Sequence, residues 1–200
     1  MTDQAGRAVF DRRWRSLPIF SEVGMYYVIQ TAPGGEAKAK QMIERLINKE
    51  LFDQCFFLTR DTKKKYHGEW KTVTEKLLPG YVFIRTDAVE VLYRATRRVP
   101  ALIKFLGKDE DSIVPISPEE TAWVERLVKH GAHIPASKID ISEGDKVTIL
   151  TDPLKDMEGY IKKLNLHKRV AEVEVAFMGR KTVLYLGIEM VEKTDSNVGC

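Results

Sequence analysis

The hydrophobic periodicity of this chain changes along the sequence, and the change limits the folds that it can adopt. Up to Val128, strand-like apolar runs alternate with helical spacing in the order strand, helix, strand, strand, helix, strand, helix. That order is the split βαβ pattern, in which helices cover one face of an antiparallel sheet. From residue 142 onward the pattern is typical of short strands alone, which predicts a small β-barrel. The predicted fold class is therefore α+β.

The first part of the chain gives the clearest boundaries. The sequence predicts strands over residues 25–30, 55–58, 77–84 and 103–106, and helices over residues 36–48 and 88–98. A third helix starts at Ser117, which caps it, with Pro118 at the first helical position and Glu120 completing a capping box. Its apolar stripe consists of Trp123, Val124, Leu127 and Val128.

The last part of the chain alternates between apolar and charged residues. Strands are predicted over residues 146–149, 159–163, 171–177 and 182–186. Val173, Val175 and Phe177 should share one strand face, and Glu172 and Glu174 the other. Residues 132–141 have no helical stripe and are predicted to be a linker. Residues 1–24 are expected to form a flexible leader, although a basic arm that contacts nucleic acid is an alternative, and residues 195–200 a tail.

Charge and cysteine content exclude several classes of protein. The chain of 200 residues has 32 basic and 29 acidic side chains, so nucleic-acid binding would require locally clustered cations. Two cysteines provide no disulfide framework, which predicts a cytoplasmic protein. No apolar run approaches the roughly 18 residues that span a bilayer. Partners in a membrane are therefore not expected.

The sequence does not indicate an active site, a metal or a cofactor. Cys55 lies in a predicted strand with nothing nearby to lower its pKa, so it is interpreted as a buried apolar residue. His130 and His133 are three residues apart but lack a third ligand. No phosphate-binding loop, dinucleotide fingerprint or nucleophile elbow is present. The chain is therefore predicted not to be an enzyme.

Residues 60–76 form a polar and mostly basic segment, which is predicted to be a hairpin or a long mobile loop. Rings among lysines can stack on bases while the ammonium groups contact phosphates, and a solvated hairpin with ordinary exposed lysines is an equal alternative. The candidate residues are Lys63, Lys64, Lys65, Tyr66, His67, Trp70 and Lys71.

Two further groups of cations are candidates for nucleic-acid binding. The first is Arg94, Arg97 and Arg98 at a helix end, where interaction with the helix dipole is the alternative. The second belongs to the predicted barrel, whose turns are expected to converge at one end, and a solvated face is the alternative. It comprises Lys155, Lys162, Lys163, His167, Lys168, Arg169, Arg180 and Lys181.

Residues 25–193 resemble the NusG family of transcription elongation factors. The resemblance depends on Leu77–Ile84, Arg98–Pro100 and Phe105–Gly107, and then on Glu143–Val147 and Phe177–Arg180, in this order and spacing. The later segments are similar to a KOW module. The resemblance implies an NGN-like domain over residues 25–131 and an SH3-like KOW barrel over residues 142–194.

The same resemblance implies a partner and a binding surface. An apolar depression in such proteins binds the clamp helices of bacterial RNA polymerase, which maps here to Tyr27, Leu78, Pro79, Tyr81 and Phe83. The segment at residues 60–76 would extend across the DNA channel and suppress pausing by stabilising the closed clamp. A monomer with no cofactor is expected.

Two positions depart from the general factor of the family. Met178 stands where that factor has the Phe that docks ribosomal or Rho partners, and Arg98-Val99 stands where some members read non-template DNA. Together with the basic barrel, this resembles the specialised LoaP group of processive antiterminators, which implies recognition of an RNA hairpin. The alternatives are a general elongation factor that couples polymerase to the ribosome or Rho, and a ribosome-associated KOW protein.

Overall fold

The computed structural model describes residues 24–97, 99, 104–106, 113–142 and 146–191. These residues form two compact units. One contains the described residues up to Leu58 together with those of Leu78–Ala122, and the other contains Thr59–Leu77 and the described residues from Trp123 onward. The predicted leader and tail, and Arg98, lie outside the described residues, apart from Gly24. The domain limits inferred from the sequence stay a prediction.

The described part of the chain has helices and strands in the following order. The α-helices are α1 (Glu36–Leu46), α2 (Val89–Thr96) and α3 (Pro118–Val128). The strands of the first half are β1 (Met25–Gln30), β2 (Gln54–Phe56), β3 (Thr59–Tyr66), β4 (Glu69–Lys76), β5 (Tyr81–Thr86) and β6 (Lys104–Phe105). Those of the second half are β7 (His133–Ile134), β8 (Ser137–Ile141), β9 (Val147–Ile149), β10 (Ile161–Asn165), β11 (Val170–Phe177) and β12 (Arg180–Met190).

The first unit is built on a four-stranded antiparallel sheet with the order β2-β5-β1-β6. Alternate residues of β1 and β5 enter one core, in which Ile29, Val82 and Ile84 are fully buried. Ile43 of α1 and Leu92 of α2 belong to the same core. The helices therefore cover one face of the sheet, which confirms the fold class expected from the periodicity.

The turn before β5 is the main difference from the prediction for this unit. The predicted strand over residues 77–84 begins only at Tyr81, because Gly80 has φ +87° and Pro79 has no N–H to donate. The carboxylate of buried Glu36 accepts hydrogen bonds from the backbone N–H groups of Gly34, at 3.2 Å, and Gly80, at 2.5 Å. Glu36 thus joins the start of α1 to the turn before β5.

The second unit contains two sheets. One has the order β10-β11-β12-β8-β9, in which β8 runs parallel to β12, and the other has the order β4-β3-β7. The prediction that residues 132–141 form a linker is wrong, because they supply β7 and β8, and Ile134 and Ile139 are buried. Their partners β3 and β12 are distant in sequence, so no local pattern marks the pairing.

Alternation along β11 and the stripe of α3 are as expected. Val173, Val175 and Phe177 are buried, whereas Glu172 and Glu174 are partly exposed on the other face. Trp123 is fully buried, and its indole N–H donates to the carbonyl oxygen of Ala176 at 2.8 Å. The capping box also forms: the amide of Glu120 donates to Ser117 Oγ at 3.2 Å, and the amide of Ser117 donates to Glu120 Oε2 at 2.6 Å.

Replacing Glu36 should destabilise the first unit. Glu36→Ala would leave two backbone N–H groups without this acceptor, and an unsatisfied buried group costs about 1–3 kcal/mol. We expect a lower midpoint of urea unfolding, monitored by circular dichroism. Glu44→Ala is the control, because Glu44 is partly exposed and forms an i,i+4 pair with Lys40. Equal midpoints for the two variants would contradict the bridging role.

The thiol of Cys55 should be unreactive while the chain is folded. Cys55 is 8% exposed, and burial, with a smaller contribution from Glu44, raises its pKa to about 12. At pH 8 about one chain in 10,000 then holds the thiolate, which is the reactive form. In a Cys200→Ser variant we expect slow labelling by Ellman's reagent that becomes fast in urea. Fast labelling of the folded chain would refute the burial.

Candidate nucleic-acid interface

The residues predicted to bind polymerase do not share one face of the sheet. Tyr27 is paired with Ile84, so its side chain lies in the core beneath the helices, where it is 1% exposed. Phe83 is paired with Val28 and lies on the opposite face. The inclusion of Tyr27 in an exposed patch is therefore wrong, because strand alternation places it on the other side from Tyr81 and Phe83.

The other members of that set differ in exposure. Phe83 is fully buried and stacks on Phe56 with the ring centroids 5.5 Å apart, and Leu78 is also buried. Tyr81 is half-buried, and Pro79 is exposed. The apolar surface presented at this turn thus consists of Pro79 and part of Tyr81.

The basic segment is a regular hairpin. His67 and Gly68 have φ +50° and +90°, which is the conformation of a two-residue type I′ turn. The register places Lys64 opposite Lys71 and Lys65 opposite Trp70. Lys65, Tyr66 and Lys71 are exposed near its tip. The predicted hairpin is confirmed, and its mobile-loop alternative is not observed.

This hairpin packs against the five-stranded sheet. Lys63 forms an ion pair with Glu189 of β12 at 2.7 Å, and its side chain is 15% exposed. The backbone of β3 lies so close to β12 that a Cβ on Gly187 would overlap the carbonyl oxygen of Asp61. Thr62 is buried as well. The hairpin is therefore packed into the second unit. A polar hairpin that extended into solvent would contribute little to the core of that unit.

Two predicted nucleic-acid residues contact each other. The guanidinium of Arg169 lies 4.4 Å from the centroid of the Trp70 ring, which is a cation–π geometry. Arg169 has φ +54° in the turn before β11, and its Nε is buried without a hydrogen-bond partner among the described residues. One face of the ring that could stack on a base is thus occupied by a cation.

The cations of the C-terminal sheet do not converge at one end, which corrects the prediction. Lys168 and Arg169 precede β11, whereas Arg180 and Lys181 follow the turn after it. The eight residues of β11 separate these turns by about 23 Å. The turns join opposite ends of the same strand, so they form two groups.

Lys162 and Lys181 form one of these groups around a single carboxylate. Their Nζ atoms lie 3.2 and 3.3 Å from Glu174 Oε1. The hydrogen bond from Lys162 is the main cause that lowers the pKa of Glu174. One carboxylate between two ammonium groups leaves a net positive charge at this end of the sheet.

The remaining candidates are distributed over both units. Lys155, Lys163, His167 and Lys168 are exposed in the second unit. In the first unit Arg94 is exposed on α2 and Arg97 is exposed at its C-terminal cap, where the guanidinium lies 5.5 Å from the Tyr93 ring centroid.

Tyr185, which lies beside Arg60 of the basic segment, was not singled out from the sequence. The guanidinium of Arg60 lies 5.9 Å from the ring centroid of Tyr185, which is 47% exposed on β12. The alternation of Leu184 and Leu186 with Tyr185 was a usable signal, because it places Tyr185 on the outer face of the strand.

His133, which was considered as a metal ligand together with His130, has structural partners. His133 Nδ1 lies 3.2 Å from Thr59 Oγ1, and its Nε2 lies 3.2 Å from Asp61 Oδ2, so the ring links β7 to the hairpin. Within the described ranges, no group of three or more His, Cys, Asp or Glu side chains could hold a metal ion. No helix in that part of the chain is long and apolar enough to cross a membrane.

Comparison with known proteins assigns the chain to a family. The family model "Transcription termination factor nusG" matches residues 24–125, which is about half of the chain. Two curated relatives are "Transcription termination/antitermination protein NusG" of Pasteurella multocida, 24% identical, and of Yersinia pestis, 26% identical. The matches cover 85% and 84% of this chain and 95% of each relative.

The fold has a solved counterpart as well. The structure described as "Domain interaction in Thermotoga maritima NusG" superposes with a TM-score of 0.52 at 25% identity, and covers 82% of this chain and 93% of that one. The split βαβ sheet, the family match over residues 24–125 and the near-complete coverage of the relatives lead to one conclusion: this chain belongs to the NusG family of transcription termination and antitermination factors.

Proposed function

We propose that this protein is an elongation factor that binds RNA polymerase through the turn at Leu78–Tyr81 and contacts an RNA hairpin through its C-terminal sheet. Family membership supports the role in transcription, since the relatives are termination and antitermination proteins. The observation that carries the RNA contact is the pair of cations that shares Glu174, because unbalanced positive charge on a β surface attracts phosphates.

The polymerase surface in this proposal is smaller than the sequence implied. Pro79 is exposed and Tyr81 is half-buried, and Glu36 and Thr31 hold the backbone of Gly80 beside them. A rigid turn that presents an aromatic ring loses little conformational entropy when a partner binds. Binding to the clamp helices, suppression of pausing and contact with non-template DNA belong to the proposal.

The C-terminal sheet supports a specialised factor of the LoaP type. Met178 has φ +51° in the turn between β11 and β12, and Phe177 is 4% exposed and packs edge-on against Trp123. Neither residue presents an exposed Phe at this turn for a ribosomal or Rho partner. A general NusG factor is the second candidate. It is favoured by the matches to curated NusG proteins, which extend across 95% of the length of each.

Tyr81→Ala should weaken binding to RNA polymerase. An aromatic anchor truncated at a hot spot costs about 2 kcal/mol, which corresponds to about 30-fold in affinity. Biolayer interferometry with core polymerase would measure this loss. Leu46→Ala is the matched control, because Leu46 is an apolar residue of α1 that is 57% exposed away from the turn. Unchanged affinity in folded Tyr81→Ala would refute the polymerase surface.

The Glu174 cluster, which consists of Glu174, Lys162 and Lys181, should set the salt dependence of RNA binding. Replacing Lys162 and Lys181 by Ala should make the slope of log K against log salt shallower by up to about two units. Glu174→Gln should instead strengthen binding, because it removes the carboxylate that both ammonium groups share. Fluorescence anisotropy with a labelled RNA hairpin measures both effects.

A double Lys38→Ala/Lys49→Ala variant controls for net charge, because both lysines are exposed in the first unit. Equal slopes for this control and the Lys162/Lys181 variant would contradict the proposed contact. Weaker binding by Glu174→Gln would contradict it as well.

A further inference from the structure

A cleft of about 360 Å³ lies between the hairpin and the C-terminal sheet, within the second unit. Strands β3 and β4 form one wall, and β10, β11, β12 and the turn before β11 form the other. Its volume is in the range typical of pockets that hold a small organic molecule. The lining side chains that matter for its chemistry are Arg60, Lys64, Glu75, Lys168, Glu172 and Tyr185.

The cleft has more positive than negative charge. Glu75 is the acceptor for both Arg60, whose Nη2 lies 3.5 Å from Oε2, and Lys64, which pairs with Oε1. These contacts lower the pKa of Glu75, with the Lys64 hydrogen bond as the largest cause. Lys168 adds one further cation to the lining and Glu172 adds one carboxylate, whereas Lys63 is compensated by its ion pair with Glu189. An anionic group would therefore be attracted here.

Arg60 brings a guanidinium into the lining. Its side chain is 16% exposed, and its Nε is buried without a hydrogen-bond partner among the described residues. Burial lowers the pKa of its guanidinium. Guanidinium retains its charge at neutral pH and offers a planar donor fork that fits phosphate. A phosphate oxygen from a ligand would accept from the part of this guanidinium that remains exposed, because the buried Nε is out of its reach.

Tyr185 supplies an aromatic surface beside these cations. It is 47% exposed and is paired with Glu172 across β11 and β12, so both project from the outer face of the sheet. Val183, which is 41% exposed, lies on the same face between Tyr185 and Lys181. The outer face thus runs from the Glu174 cluster to the cleft, a distance of about 13 Å from Lys181 to Tyr185.

We propose that this cleft binds one unpaired nucleotide of an RNA hairpin, with its phosphate at Arg60 and Lys168 and its base on Tyr185. The inference rests on the proposed RNA-binding function. Unpaired bases in loops and bulges can be splayed out and stacked on aromatic side chains, whereas bases inside an A-form helix are not accessible in this way. The Glu174 cluster would contact phosphates of the adjoining stem, and the cleft would add selectivity for an irregular hairpin.

The test compares two RNAs on the full-length protein. One is a hairpin with a single-nucleotide bulge, and the other is the same stem without the bulge. Stacking of one base is worth a factor of about 5 to 150 in affinity, so the wild type should prefer the bulged RNA by at least fivefold. Tyr185→Leu and Arg60→Gln should each abolish this preference, and Tyr185 is exposed enough for its variant to fold.

Control variants separate the cleft from the rest of the surface. Val183→Ala changes an exposed apolar residue on the same strand face, and Lys138→Gln removes an exposed cation of β8, so both should keep the preference. The Lys162→Ala/Lys181→Ala variant should weaken both RNAs equally. A preference that survives Tyr185→Leu would overturn the cleft proposal while leaving RNA binding intact.

Three other outcomes would also overturn the proposal. Failure of the wild type to bind either RNA at low salt would reject the RNA-binding function and the cleft together. If uridine monophosphate displaces the bulged RNA at an equal concentration, the cleft binds a free nucleotide instead. If poly-glutamate displaces the RNA from the wild type but not from Arg60→Gln or Tyr185→Leu, the cleft binds an acidic peptide instead.

Discussion

The close approach of β3 to β12 is the constraint on which the second unit depends. Gly187 has no side chain, and the carbonyl oxygen of Asp61 occupies the space that a Cβ would need. The Lys63–Glu189 ion pair and the stack of Arg169 on Trp70 follow from the same approach. The hairpin of a transcription factor thus becomes one wall of a cleft, because two backbones meet where no side chain intervenes.

Positive charge in this unit comes from cations that outnumber their carboxylates. Glu75 serves Arg60 and Lys64, and Glu174 serves Lys162 and Lys181. The lysine pairs among them are exposed and contribute little to stability, since water and salt screen them. Their consequence is an electrostatic surface on a chain whose total charge is only +3. The proposed RNA contact depends on this local imbalance.

Local sequence signals predict most of the helices and strands, but they do not indicate which distant strands pair. The capping box at Ser117, the alternation of β11 and the hairpin each depend on residues within about ten positions. The parallel pairing of β8 with β12 joins Ser137 to Ile188, so no pattern within residues 132–141 distinguishes them from a linker. For the same reason the sequence could not show that Tyr27 faces the helices. The opposite ends of β11 were within its reach, because the strand predicted over residues 171–177 separates Lys168 from Lys181.

The docking of the hairpin on the C-terminal sheet is measured most directly by a nuclear Overhauser experiment. In uniformly ¹³C,¹⁵N-labelled protein we predict cross-peaks from the α protons of Gly187 to the backbone amide protons of Asp61 and Thr62, because the two strands are in van der Waals contact there. Cross-peaks from the Trp70 ring to the side chain of Arg169 should accompany them. Absence of both sets, with intact cross-peaks between β11 and β12, would contradict the account.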